Sequence, residues 1–284
     1  MDVRCVVNSQ DRLGEGPCWS PLEARLYWFD IKGKRLAWYD PKADISGAFD
    51  LPMRASAAAP RAQGGLVMAT EKGLAVCDPD AGTIEIVRPY ELGPGFRTND
   101  GKIDLDGNFW WSTMDDDGGR QPGALFRTTP KFETERMLTG IHIPNTVSVS
   151  PDGQILYLAD SKLQTIFAHD MADLTKIRMF AHTAGEPGSP DGSAVDALGY
   201  LWNAQWGAWR LVRYAPDGRI DMTVPMPVQQ PSSCAFGGED MTTLFVTSAW
   251  EDLTPQARAS QPVAGGLFAI ETGVKGLALP LFEG

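Results

Sequence analysis

The chain has 284 residues and a formal net charge of −11 with no basic run, so it lacks the cationic stripe that nucleic-acid partners require. Its 43% apolar content suffices for a core, and no apolar run approaches transmembrane length, so a membrane is not expected as a partner either. Cys5, Cys18, Cys77 and Cys234 lie far apart without a CxxC pair, and Met1-Asp2-Val3-Arg4-Cys5 begins no basic-then-apolar leader; both features fit a cytoplasmic protein with reduced thiols.

In chain order, residues 3–8 read as a strand, after which one unit recurs six times. The strand centres Leu26-Tyr27-Trp28, Leu66-Val67-Met68, Phe109-Trp110-Trp111, Leu156-Tyr157-Leu158, Leu201-Trp202-Asn203 and Leu244-Phe245-Val246 are separated by 40, 43, 47, 45 and 43 residues. Each is followed by a second short apolar strand and preceded by a segment of small residues such as Thr146-Val147-Ser148-Val149-Ser150. Turn tripeptides such as Pro151-Asp152-Gly153 and Pro216-Asp217-Gly218 punctuate the hairpins, with Pro pre-setting the first turn position and Gly supplying positive φ. Residues 170–180 come closest to a helical period and do not sustain it.

Short strands repeating at a period in the forties predict an all-β, six-bladed β-propeller with about four strands per blade, formed by residues 1–284 as one domain. Residues 277–282 read as a further strand, and one of the two terminal strands is expected to complete the sixth blade and so remove exposed sheet edges. Two connections are longer than the rest, residues 114–123 in the third unit and 247–265 in the sixth, as binding loops often are.

Four polar residues share a phase in this repeat: Glu15, Asn99, Asn145 and Asp191 precede their strand centres by 12, 11, 12 and 11 residues. Equivalent positions in a closed ring face one axis, so these side chains are expected to meet in the central channel. Two carboxylates and two amides make a hard, negatively charged oxygen site suited to a divalent cation. Asp191 lies in Pro190-Asp191-Gly192, the same tripeptide as the hairpin turn at Asp152, but eleven residues before its strand centre instead of five. None of the three histidines falls at the phased position and no GxSxG elbow is present, which disfavours a Ser-His-Asp hydrolase.

Leu13-Gly14-Glu15-Gly16-Pro17, Arg97-Thr98-Asn99-Asp100-Gly101-Lys102, Trp111-Ser112-Thr113-Met114, Asn145, Pro190-Asp191-Gly192 and Ser233-Cys234-Ala235-Phe236-Gly237-Gly238 follow in an order and spacing that resemble the SMP-30/gluconolactonase/regucalcin-like family of six-bladed sugar lactonases. The resemblance spans essentially the whole chain. It implies one divalent metal ion (Ca²⁺, Zn²⁺, Mn²⁺, Mg²⁺ or Fe²⁺) on Glu15, Asn145 and Asp191, and substrate contacts from Arg97 and Asn99, although Asn99 also has the phase of a fourth ligand. A substrate-contacting acid after the Thr-Met pair corresponds by counting to Asp117, with Asp116 the alternative. The chain departs from the family in having Asn145-Thr146 where Asn-Gly is common.

These features point to a metal-dependent hydrolase, gluconolactonase-like, that opens a sugar lactone to the aldonic acid, with Asp191 as the base for the attacking water. A phosphotriester or other ester hydrolase and a non-enzymatic calcium-binding propeller are the alternatives. The expected partner is a small sugar lactone, and the expected assembly is a monomer or small homo-oligomer.

Overall fold

The computed structural model describes residues 1–284, which form six four-stranded antiparallel sheets arranged as the blades of a propeller. The innermost strands are Gly14–Ser20, Ala55–Pro60, Phe96–Ile103, Pro144–Val149, Ser189–Val195 and Pro231–Gly237, and each touches the next until the sixth meets the first. They are rich in Ala, Ser and Gly because six backbones crowd round one axis. The strands just outside them carry the large aromatics, with Trp28, Trp110, Trp111 and Trp202 all but fully buried. The core divides into six apolar layers, each shared by two adjacent blades, so no blade buries its faces alone.

Closure comes from the start of the chain. Val3–Val7 pairs antiparallel with Leu267–Glu271 and completes the sixth blade, as expected for one of the termini. Residues 277–282 do not form the strand expected of this apolar run. They cross the far end of the channel, from a hydrogen bond of Leu277 N to Val195 O in blade 5 to one of Phe282 N to Pro60 O in blade 2. Val3–Val7 already completes blade 6, and Pro280 lacks the N–H that a strand ladder needs. Phe282 is fully buried against blades 2 and 3, and the segment closes an apolar cavity of about 210 Å³. No helix is long and apolar enough to cross a membrane.

Every inner strand slips register near its beginning: between Glu15 and Cys18, Ala55 and Ala57, Thr98 and Gly101, Asn145 and Ser148, Pro190 and Ser193, and Pro231 and Ser233. Bulges of this kind re-aim side chains and end regular pairing. Here they lie at one height round the ring, at the mouth opposite the C-terminal segment.

Candidate functional site at the channel mouth

The bulges bring Glu15, Asn99, Asn145 and Asp191 to one end of the channel, where all four are buried. One chain of hydrogen bonds orients the two amides. Arg97 Nη1 donates to Asn99 Oδ1 at 2.5 Å; Asn99 Nδ2 donates to Asn145 Oδ1 at 2.9 Å and to Pro144 O at 2.8 Å. Asn145 Nδ2 then donates to Ser161 Oγ at 2.8 Å, and Ser161 Oγ to Pro190 O at 2.6 Å. A guanidinium can only donate and a peptide carbonyl can only accept, so both ends of the chain force the same amide orientation. Each amide oxygen thus accepts one hydrogen bond, Asn99 Oδ1 from the charged Arg97 and Asn145 Oδ1 from the neutral Asn99 amide, and each keeps one lone pair.

The carboxylates are held differently. Glu15 accepts only from the neighbouring Gly16 N, at 3.2 Å, and neither Glu15 nor Asp191 forms an ion pair. Burial, and then the charge of Asp100, push the Glu15 carboxyl up to about 8. Burial, and then Glu15 and Asp100, raise Asp191 as well. Asp100 is a third buried acid at this mouth, raised by burial although Lys102 and backbone N–H groups of Gly101, Thr146 and Val147 favour its charge. Lys102 reaches across the channel and donates to Ser193 O. The local charge is therefore three carboxylates against Lys102 and Arg97.

Asp100 was not singled out by phase, because it occupies the second residue of the blade 3 bulge and its neighbour Asn99 carries the phase. A clue lay in its place between two residues of the Asn99-to-Gly101 motif, but only the closed ring sets it beside Glu15 and Asp191.

Both long connections lie over this mouth. The loop after Asp115 brings Asp116 to Arg97 Nε at 2.6 Å, Lys32 Nζ at 2.8 Å and Arg54 Nη1 at 2.8 Å. Burial opposes the Asp116 charge, but Lys32 and Arg97 hold its carboxyl below the usual range. Asp117 does not join the cluster: its side chain is 67% exposed and pairs with Arg120 at 2.8 Å. Asp115 caps the loop by accepting from Asp117 N and Gln121 N. The connection before Leu267 carries the one-turn helix Pro255–Ala259 and contributes Glu251, which pairs with Arg12 at 3.2 Å and Lys32 at 3.7 Å. His142 stands apart, bonded through Nδ1 to Asp160. The 210 Å³ cavity lies deeper, and none of Glu15, Asn99, Asn145 or Asp191 lines it.

Nowhere do three His, Cys, Asp or Glu side chains form a ready-made metal cage, so any ion held here takes amide as well as carboxylate oxygens. The donor chemistry fits such an ion: oxygens only, two buried carboxylates without a cation partner, and amide oxygens that each keep a lone pair.

Fold and site together define a six-bladed β-propeller with an acidic, amide-lined channel mouth ringed by cations. Within that class the chain belongs to the SMP-30/Gluconolactonase/LRE-like family, whose model matches residues 13–250. It is 32% identical over 289 residues to the 6-deoxy-6-sulfogluconolactonase of Pseudomonas putida, covering 99% of each chain. It is 36% identical over 289 residues to the L-arabinolactonase of Azospirillum brasilense, covering 98% of this chain and 95% of that one. The crystal structure of regucalcin, a calcium-binding protein from Agrobacterium tumefaciens, superimposes with a TM-score of 0.94 at 30% identity, covering 99% of this chain and 97% of that one.

Proposed function

We propose that the protein is a metal-dependent lactonase that opens a sugar lactone to its aldonic acid. The observation that carries this reading is the pair of buried carboxylates Glu15 and Asp191, neither in an ion pair, at one channel mouth with the amide of Asn145. Relatives of similar length, named as lactonases of sulfogluconate, arabinose and pentose lactones, support the substrate class.

Glu15, Asn145 and Asp191 would hold one divalent ion, and Asn99 the substrate, because Asn99 Oδ1 accepts from the cation Arg97 whereas Asn145 Oδ1 accepts from a neutral amide. When bound, the ion supplies Lewis-acid polarisation of the lactone carbonyl and acidification of a water. Asp191 accepts the proton of the attacking water and returns it to the ring oxygen as the acyl C–O bond breaks. Arg97 spends Nε on Asp116 and Nη1 on Thr98 O and Asn99, which fixes its plane and leaves Nη2 for a sugar hydroxyl. In this arrangement Asp116 orients Arg97, and Asp117 has no part in the site.

The test is a panel of aldonolactones, read by acid release, with metal-stripped protein and with Ca²⁺, Zn²⁺, Mn²⁺, Mg²⁺ or Fe²⁺ restored one at a time. Lactone opening that returns with an ion supports the reading. Ion uptake with no lactone opened would favour the calcium-binding propeller, a reading to which the likeness to regucalcin lends weight. Turnover of a phosphotriester in place of any lactone would favour the other hydrolase.

A further inference from the structure

We infer that Thr146 is a positioning residue that locks the Asp191 bulge onto the Asn145 bulge, an inference that rests on the reading of Glu15, Asn145 and Asp191 as ion ligands. Two of those three residues are followed by one in the left-handed backbone region: Gly16 at φ 57° after Glu15, and Thr146 at φ 62° after Asn145. In blade 1 glycine adopts that conformation freely, and nothing larger fits, because a Cβ on Gly16 would collide with the Ser56 carbonyl. In blade 4 the same conformation is forced on a β-branched residue, for which it is a true outlier.

What holds Thr146 there is a set of polar contacts made by a fully buried side chain. Its N–H and that of Val147 face the Asp100 carboxylate of blade 3, with Val147 N 2.9 Å from Asp100 Oδ2. Its Oγ1 donates across to blade 5, to the carbonyl of Asp191, at 2.5 Å. The same oxygen accepts from Asn203 Nδ2 at 3.1 Å and from Ser193 Oγ at 3.2 Å. Asn203 Nδ2 also reaches Asp191 O at 2.9 Å, so hydroxyl and amide close on that carbonyl together.

Glycine would satisfy the backbone at 146 as it does at 16, with less strain. The retained threonine therefore points to its hydroxyl, which spans the gap between the blades that carry Asn145 and Asp191. Because the gripped carbonyl belongs to the residue whose carboxylate faces the channel, the hydroxyl sets where that carboxylate points. Outer contacts that orient ligands in this way are worth about 10- to 100-fold in metal affinity.

Calorimetric titration of the metal-stripped protein with Ca²⁺, and separately with Zn²⁺, tests this with two variants. Thr146→Gly, whose backbone suits the site, is expected to stay folded by circular dichroism and to bind the ion about 10- to 100-fold more weakly. Thr146→Ser, which keeps the hydroxyl, is expected to restore binding to within about threefold of wild type. A glycine variant that binds like wild type, or a serine variant as weak as glycine, would overturn the inference. Wild-type protein that takes up neither ion would instead overturn the ion-site reading on which it rests.

Discussion

The tripeptide Pro-Asp-Gly occurs at 151–153, 190–192 and 216–218, and the first two copies have opposite fates at opposite ends of the ring. Asp152 sits in a hairpin turn on the far face, where Ser150 Oγ donates to it at 2.5 Å and Gln154 N at 3.1 Å; those bonds hold its carboxyl below the usual range. Gly153 supplies φ 68° for that turn. Asp191 lies in the bulge of an inner strand, where burial and then Glu15 and Asp100 drive its carboxyl up. Gly192 is needed there for close approach, since a Cβ would meet both the side chain and the backbone of Ser233. Identical local chemistry thus gives a satisfied turn in one place and a charge-hungry group in the other, and the difference lies in what the fold stacks around each copy.

The sharpest way to break the comparison is to neutralise each acid. Asp191→Asn is expected to lower kcat/KM for a lactone by about 10²- to 10⁴-fold, the usual worth of a general base. Retention of most activity in that variant would remove Asp191 from the chemistry. The glycines come next: Gly192→Ala is expected to destabilise by ~1–3 kcal/mol through overpacking and to depress activity with it. Gly153→Ala, which has room but keeps the left-handed turn, should cost about 1 kcal/mol and leave kcat unchanged. Chemical denaturation with parallel kinetics separates the two.

A third contrast is pH. In metal-free protein Glu15 is raised from its ordinary 4.5 to about 8, so within that window the unfolded chain is ionised while the folded state still holds a proton. Stability of the metal-free form should therefore be greatest below pH 4.5 as far as this group is concerned, and fall as pH rises towards 8. A bound divalent ion favours the ionised carboxylates and should flatten or invert that slope. Thermal melts across the range with and without ion would show it; parallel curves would mean that no ion binds at Glu15. The smallest effect is expected from Asp152→Ala, a loss of a few degrees at most in melting temperature with unaltered lactone kinetics.

Much of this architecture was legible in the residues. Six apolar strand centres gave six blades, because strand spacing and turn chemistry are local and repeat with the backbone. The phase of Glu15, Asn99, Asn145 and Asp191 also told which end of each inner strand they occupy. Loop and tail geometry was less legible. Counting along the 115–117 run favours Asp117, yet Asp115 uses its carboxylate to cap the loop, and the resulting bend sends Asp116 inward to three cations and Asp117 out to solvent. Residues 277–282 are apolar enough for a strand, but blade 6 is completed by Val3–Val7 and the segment bonds to the ends of two inner strands as a plug.

Periodicity alone specifies an all-β ring of six repeats with oxygen-bearing side chains at one phase. Ring closure is what sets Asp100 beside Glu15 and Asp191, joins the Asn99 amide to Asn145, and lets Thr146 bridge two blades. Those outcomes depend on contacts between residues far apart in the chain, 45 positions for Thr146 with Asp191 and 47 for Asp100 with Val147, which exist only once neighbouring blades have packed.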